Sequence, residues 1–154
     1  MPDREHHYTV STRWTGDRGT GTSAYRAYDR THEITSGSKA PISGSADPAF
    51  LGDASRWNPE ELLVESASTC HMLWYLHLCS ANGIAVIDYI DNAEGAMAED
   101  SHRGGRFTRI TLRPKVALAE GSDIDLALKL HDQAHAKCYI ANSVNFPIDC
   151  EPVA

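Results

Sequence analysis

Hydrophobic residues recur at helical spacing between residues 58 and 83, which is the clearest pattern in the chain. Asn58 can cap such a helix, Pro59 suits its first position, and Glu61 occupies the capping-box position. Asn82-Gly83 supplies a stop signal. The spacing predicts one apolar face, which consists of Leu62, Leu63, Ser66, Ala67, Cys70, Leu73, Trp74 and His77.

The segments before this helix have the composition of short strands and loops. We expect a strand over residues 7–14, a glycine-containing turn over 17–21, and further strands over 22–28 and 32–37. Residues 36–57 are rich in Ser, Gly, Pro, Ala and Asp, so we expect a long loop there.

Strand and helix patterns follow the central helix as well. Residues 84–98 and 106–119 alternate loosely between apolar and polar, and Pro114 indicates an edge or a bulge. A capping pattern at Ser122 and Asp123 predicts a second helix to about Lys137. The remaining elements are a short turn or helix over 138–144 and a closing strand over 145–153.

This order of elements predicts an α+β fold. We expect a single domain over residues 1–154, composed of N-terminal strands and loop (1–57), the central helix (58–83) and the C-terminal elements (84–154).

Composition excludes several classes of function. Residues 66–87 carry no Lys, Arg, Asp or Glu, but their polar residues, such as His71 and Asn82, favour a buried helix over a membrane span. The net charge of −7 and the lack of a basic stripe argue against nucleic acid as a partner. The polar sequence MPDREHHYTV has no signal-peptide core, so we expect a cytoplasmic protein. In that compartment the four cysteines are free, metal-bound or catalytic rather than paired in structural disulfides.

The cysteines differ in their local context. Taken alone, Cys70, Cys79 and Cys150 fit buried small hydrophobic residues. Cys138 is the first residue of the 138–144 segment and follows Lys137 directly. At the N-terminus of a helix, exposed backbone N–H groups stabilise a thiolate. Cys138 is therefore the better candidate for a reactive thiol.

Zinc binding is an alternative use for these thiols. Cys70-His71 and His135-x-x-Cys138 contain thiolate and imidazole ligands. However, adjacent helical residues point about 100° apart, and the chain has no C-x-x-C pair. We therefore expect no metal site.

Two motifs resemble those of the osmotically inducible protein C/organic hydroperoxide resistance (OsmC/Ohr) family. WNPEELLVESASTCHM (57–72) is similar to the family's N-P-E-x-L…C helix, and AHAKCYIANSVNFPI (134–148) to its second cysteine motif, with Asn142 retained. The resemblance implies antiparallel sheets packed around a long cysteine-bearing helix, in an intertwined homodimer. It also implies a cysteine-based, thiol-dependent peroxidase.

The resemblance assigns roles to individual residues. Cys70 would be the peroxidatic cysteine, Cys138 the resolving cysteine, and Glu60 the family's glutamate. The family's arginine in the turn after the first strand matches Arg18 in TGDRGTG, with Arg13 and Arg26 as rivals. Tyr139 stands where family members commonly have proline.

Chemistry explains why such a site needs these residues. Burial raises the pKa of a thiol, so a guanidinium beside Cys70 would favour the thiolate, and a carboxylate would hold the guanidinium. The expected reaction takes an organic hydroperoxide to an alcohol through a Cys70 sulfenic acid and a Cys70–Cys138 disulfide. An external dithiol or thiol, and no bound cofactor, would complete the cycle. Apolar walls would favour organic peroxides; the candidates for these walls are Leu73, Trp74, Phe50 and Trp57.

Helix geometry adds one expectation about assembly. In a continuous helix, Glu60 and Cys70 lie about 15 Å apart along the axis, too far to share one arginine within one chain. We therefore expect the glutamate to come from a partner subunit. Two other functions stay open: an inactive protein of the same fold that binds a small apolar ligand, and a zinc-binding structural protein.

Overall fold

A small antiparallel sheet organises the first part of the chain. The computed structural model describes residues Arg4–Val153, which divide into two units at Pro59 and Glu60. In the first unit the strand order is β1-β2-β3, and His32 pairs with both Trp14 and Gly44. Its elements are β1 (Ser11–Trp14), β2 (His32–Thr35), β3 (Ile42–Gly44) and a 3-10 helix (Pro48–Phe50). The 36–57 segment is thus less irregular than the sequence predicts.

The strand predicted over residues 22–28 is wrong, because this segment forms turns. The guanidinium of Arg30 lies 4.7 Å from the ring centroid of Tyr25 and 3.9 Å from that of Tyr28. It also donates to the Tyr25 and Tyr28 carbonyl oxygens, at 2.7 and 2.6 Å. Because one side chain binds both rings and both carbonyls, the local backbone curves around Arg30 instead of extending.

Two helices in the second unit confirm the sequence predictions. Helix α1 covers Pro59–Ala81 and is followed by Gly83 in the left-handed region, at φ 73°. Helix α2 covers Ile124–Lys137, and the Asp123 carboxylate accepts the Leu126 N–H at 3.0 Å as its N-cap. Among the helices of residues 4–153, none has the length and apolar character needed to cross a membrane.

The buried face of α1 differs from the predicted one. Leu73 and His77, which the spacing placed inside, are exposed. Ala67 is buried as predicted, but the other buried residues of α1 lie outside the predicted face: Ser68, His71, Tyr75, Leu78 and Cys79. Helix α1 is apolar on several sides, so spacing alone misidentified the face that packs against the rest of this unit.

Two sheets complete the second unit. Strands β4 (Val86–Asp91) and β7 (Pro114–Leu118) pair antiparallel. The other sheet has the order β5-β6-β8, with β8 parallel to β6. Its strands are β5 (Glu94–Asp100), β6 (Gly104–Leu112) and β8 (Ile148–Cys150).

Each of the two long strands predicted after α1 is therefore split in two. One break falls between Asp91 and Glu94, and the other falls at Arg113. The two breaks meet, because Oδ1 of Asp91 accepts the Arg113 backbone N–H at 2.6 Å. Pro114 has no N–H to donate and begins β7, which pairs with β4 in the two-stranded sheet.

Helix α1 carries a separate apolar cluster on each of its halves. The N-terminal half, through Ala67, packs with Phe107, Ile110 and Leu112 of β6 and with Ile148. The C-terminal half packs against α2 and the β4–β7 sheet, in a cluster that includes Tyr75, Leu78, Cys79, Ala127, Leu130 and Ala134. Since both clusters lie along one helix, they fix its position, and the α+β architecture is confirmed.

Candidate functional site

Cys70 and Cys138 meet between the middle of α1 and the end of α2. Cys70 is partly exposed, whereas Cys138, the first residue after α2, is 2% exposed. Their thiols are close enough for each to affect the ionisation of the other. The structure thus brings together the two cysteines of the sequence motifs, and both are free thiols.

The turn that follows α2 holds the Cys138 sulfur in place. The Ala141 backbone N–H donates to Cys138 Sγ at 3.5 Å, and Asn142 Nδ2 donates to the Ala136 carbonyl at 3.1 Å. Burial raises the pKa of the Cys138 thiol, and the neighbouring Cys70 raises it further, while the N–H groups of Ala141 and Ile140 oppose the shift. At neutral pH Cys138 is therefore a protonated thiol beside Cys70.

An open, apolar pocket leads to Cys70. It has a volume of about 350 Å³ and is lined by Cys70, Leu73, Trp74, His77 and Tyr139. The Trp74 and Tyr139 rings meet edge to face with centroids 5.6 Å apart, and Lys137 Nζ lies 5.6 Å from the Trp74 centroid. Leu73 and His77, which are exposed on α1, are thus pocket walls next to a thiol.

Sequence reasoning identified Leu73 and Trp74 as walls but not Tyr139 or His77. Tyr139 is 67% exposed and stands where the family that the chain resembles commonly has proline. Its signal was its position directly after the second cysteine. Phe50 and Trp57, the other predicted walls, belong to the first unit.

Arg18 has partners within the first unit. Its guanidinium donates to the Arg26 carbonyl oxygen, and Arg18 Nε lies 3.6 Å from Asp29 Oδ1 in a half-exposed ion pair. Arg13 lies on β1, and Arg13 and Arg26 are both exposed. The assignment of one of these arginines to the site stays a prediction.

Glu60 lies at the first turn of α1, so the continuous helix does separate it from Cys70 by ten residues. Its Oε2 atom is buried and accepts no hydrogen bond from any described residue. A buried carboxylate oxygen without a donor is costly. Among residues 4–153, Oε2 of Glu60 therefore has no cationic partner of the kind that its predicted role requires.

A second polar cluster lies one residue further along α1. Nε2 of His71 lies 3.0 Å from Nδ1 of His131, and the Cys150 sulfur lies 3.6 and 3.9 Å from these two nitrogens. Burial lowers the pKa of each histidine to about 4 and raises the pKa of Cys150 to about 12. These are residues that can hold a metal ion.

Sequence reasoning missed this cluster. The zinc motifs in the sequence combine His71 with Cys70, His135 and Cys138, whereas Cys150 fits a buried small hydrophobic residue. The cluster has no local signal, because His71 is 60 residues from His131 and 79 from Cys150.

Comparison with known proteins supports the architecture. The uncharacterized protein YmaD of Bacillus subtilis (strain 168) is 27% identical over 153 residues, which cover 96% of this chain and 92% of that protein. An OsmC-like protein of unknown function from Vibrio cholerae superposes with a TM-score of 0.88 and 28% identity, covering 97% of this chain and 100% of that chain.

More distant structures share the fold. The organic hydroperoxide resistance protein OhrB of Bacillus subtilis superposes with a TM-score of 0.67 at 18% identity, covering 96% of this chain and 98% of that chain. A family model described as OsmC-like protein matches residues 52–152. Since this match spans most of the chain and includes both cysteine motifs, the chain belongs to the OsmC-like protein family.

Proposed function

We propose that this protein is a thiol-dependent peroxidase that reduces organic hydroperoxides to alcohols. The observation that carries the proposal is the nearness of the Cys138 thiol to Cys70, which lines an apolar pocket. Family membership supports it, and a protein of the same fold, OhrB, is named for organic hydroperoxide resistance.

In the proposed reaction Cys70 reacts first and Cys138 second. The Cys70 thiolate attacks the peroxide and breaks the O–O bond, which leaves Cys70 as a sulfenic acid and releases an alkoxide that takes up a proton to become the alcohol. Cys138 then condenses with the sulfenic acid, forming the Cys70–Cys138 disulfide and releasing water. An external dithiol supplies two electrons and two protons to restore both thiols.

Each cysteine is suited to its step. Cys70 is partly exposed to the pocket, so a peroxide can reach its sulfur. Cys138 is buried, so peroxide from solvent cannot reach it first, and its nearness to Cys70 makes disulfide formation local. The resolving cysteine is thereby protected from direct oxidation.

The pocket walls support a preference for organic peroxides. Leu73, Trp74 and Tyr139 present apolar surface beside Cys70. A bulky alkyl or aryl group removes this surface from water, at about 25 cal/mol per Å². Hydrogen peroxide has no such group and gains nothing from these walls.

A homodimer would complete the site. Glu60 and Cys70 lie about 15 Å apart along α1, and Oε2 of Glu60 has no described donor. We propose that an arginine, Arg18 in the best match, bridges a Glu60 of one subunit to the Cys70 of the other. A monomer with full activity in sedimentation and turnover measurements would contradict this arrangement.

The decisive experiment is mass spectrometry of the reduced protein after one equivalent of cumene hydroperoxide. Peptide mapping should find a Cys70–Cys138 disulfide within seconds, with Cys79 and Cys150 unmodified as internal controls. In the cytoplasm, thiol reductants would return Cys70 and Cys138 to free thiols between turnovers. Both thiols staying reduced in excess peroxide would reject the peroxidase and favour the alternative, an inactive protein that binds a small apolar ligand in this pocket.

A further inference from the structure

The cluster of His71, His131 and Cys150 has the geometry of a metal site. All its ligand atoms lie within 4.8 Å of one another. A tetrahedral zinc ion with Zn–N near 2.0–2.1 Å and Zn–S near 2.3 Å spaces two nitrogens about 3.3 Å apart and a nitrogen and sulfur about 3.6 Å apart. The structure has 3.0 Å between the nitrogens, and 3.6 and 3.9 Å from them to the sulfur. Each of these three distances between ligand atoms thus lies within a few tenths of an ångström of the distance expected in a zinc site.

The cluster is built into the fold rather than assembled from flexible side chains. His71 is 1% exposed on α1, His131 is 4% exposed on α2, and Cys150 ends β8. The His131 ring stacks on Tyr75 at 3.9 Å between centroids, in planes 12° apart. Packing therefore holds both imidazole rings close to the orientation that a shared ion needs.

One buried atom in the cluster lacks a partner. Nδ1 of His71 is buried without a hydrogen bond to any described residue. An ion on Nε2 requires the ring N–H to be on Nδ1, so Nδ1 carries the proton of this ring in the zinc-bound state.

Negative charge surrounds the sulfur. The carboxylates of Asp91, Asp132 and Glu151 all act on Cys150. Asp91 also acts on His71. Carboxylates that act on the ligand residues also attract a divalent cation, which adds to the geometric argument.

We infer that His71 Nε2, His131 Nδ1 and Cys150 Sγ form a zinc-binding site, separate from the Cys70–Cys138 pair. On binding, the Cys150 thiol releases its proton to solvent and forms a Zn–S bond. The N–H between the rings moves through solvent to the outer nitrogen of its own ring, so that both facing lone pairs bind the ion. One proton is released for each zinc ion bound, and no electron is transferred.

A cavity borders the cluster at His131. It has a volume of about 600 Å³ and is lined by Tyr75, His131 and residues of β7 and α2, with Pro152 and Val153 at its edge. Because His131 is one of its walls, solvent can supply the fourth ligand from this side. A site with three protein ligands and one solvent position is the arrangement of catalytic rather than closed structural zinc.

The test uses cobalt(II) as a spectroscopic substitute for zinc in the reduced, chelator-treated full-length chain. One equivalent should produce tetrahedral d–d bands and a thiolate-to-cobalt charge-transfer band, and zinc should remove both. Histidines elsewhere on the surface cannot produce a thiolate band. A chain that yields no charge-transfer band with cobalt chloride would overturn the inference.

Variants then identify the ligands. Cys150→Ser and His131→Gln should each weaken zinc binding by more than the roughly 10- to 100-fold that outer-shell changes cost. The double variant Cys70→Ser/Cys138→Ser and the exposed control His102→Gln should bind as wild type. A charge-transfer band that survives in Cys150→Ser, or disappears in the Cys70/Cys138 double variant, would place the ion elsewhere and overturn the inference.

A measurement on the wild-type chain covers the case in which a variant fails to fold. Zinc should slow alkylation of Cys150 by iodoacetamide, read by peptide mapping, and leave that of Cys70 unchanged. Equal alkylation of Cys150 with and without zinc would overturn the inference. Since the readouts are absorbance and alkylation, a chain that binds zinc but reduces no peroxide would reject only the proposed peroxidase.

Discussion

The Ser68 hydroxyl on α1 donates a 2.6 Å hydrogen bond to Oδ2 of Asp91 at the end of β4. The other oxygen of this carboxylate accepts the backbone N–H of Arg113 at 2.6 Å. One carboxylate thus joins the cysteine-bearing helix to the point where the chain passes from β6 to β7. Ser68 is only 8% exposed, so water does not replace this bond easily.

Replacing Ser68 with alanine should therefore destabilise the protein. A hydrogen bond to a charged group is worth about 1.5–3 kcal/mol, and its loss leaves a carboxylate oxygen without its donor. We expect Ser68→Ala to lower the free energy of unfolding by that amount in urea titrations. Ser66→Ala is the matched control, because the Ser66 hydroxyl bonds only to the Leu63 carbonyl of its own helix. Equal losses in both variants would show that the bond to Asp91 is not the cause.

Serine substitutions separate the roles of the two site cysteines. Cys70→Ser should reduce peroxide turnover to background, because the hydroxyl is not a nucleophile at neutral pH. Cys138→Ser should keep the first attack but accumulate the Cys70 sulfenic acid, which dimedone traps and mass spectrometry detects. Cys79→Ala is the control, since Cys79 is buried in the helix cluster. Sulfenic acid on Cys138 in the Cys70→Ser variant would reverse the assigned roles.

Local signals explain which parts of the fold were predictable. The capping residues and the glycine stop of α1 lie next to it in sequence, so its ends were predicted within about two residues. The apolar residues of α1 occur on several sides, so a periodic pattern could not show that His71 and Tyr75 face the core while Leu73 does not. The turn over residues 22–28 depends on Arg30, which lies outside the apparent strand pattern.

The candidate site was likewise only partly predictable from the sequence. The nearness of Cys70 and Cys138 was expected from a family resemblance, and the structure places the two thiols close together. The histidine–cysteine cluster requires α1, α2 and β8 to pack together, which no local pattern encodes. The pairing of Arg18 with Glu60 stays a prediction, because it depends on a second subunit.

Leu73 should set part of the peroxide preference. It is 58% exposed on α1 and forms a wall of the Cys70 pocket. We expect Leu73→Ala to lower kcat/KM for cumene hydroperoxide roughly 3- to 10-fold relative to hydrogen peroxide, since about 1 kcal/mol of apolar contact is lost. Leu128→Ala is the control, because Leu128 is 52% exposed on α2 outside this pocket. An unchanged ratio of the two kcat/KM values would exclude Leu73 from substrate binding.

Burial of the Cys79 thiol should make the free energy of unfolding decrease at alkaline pH. Burial raises the pKa of Cys79, while its hydrogen bond with Tyr75 opposes the shift. An unfolded thiol ionises near pH 8.5, so below that pH both states are protonated and the stabilisation is fully present. Above it the unfolded chain loses the proton that the folded chain retains. The free energy of unfolding should then fall by up to about 1.4 kcal/mol per pH unit for each such thiol.

Cys79→Ala should therefore flatten the fall in stability between about pH 8.5 and 10, a window that ends where tyrosines begin to ionise. Urea titrations at several pH values under reducing conditions measure the slope, with Ser80→Ala as the exposed neighbouring control. Cys138 and Cys150 also have pKa values raised by burial, so both contribute to the slope with the same sign and should leave part of it in the variant. Parallel curves for wild type and Cys79→Ala would mean that Cys79 ionises equally in both states, and that its burial in the helix cluster does not exclude the thiolate.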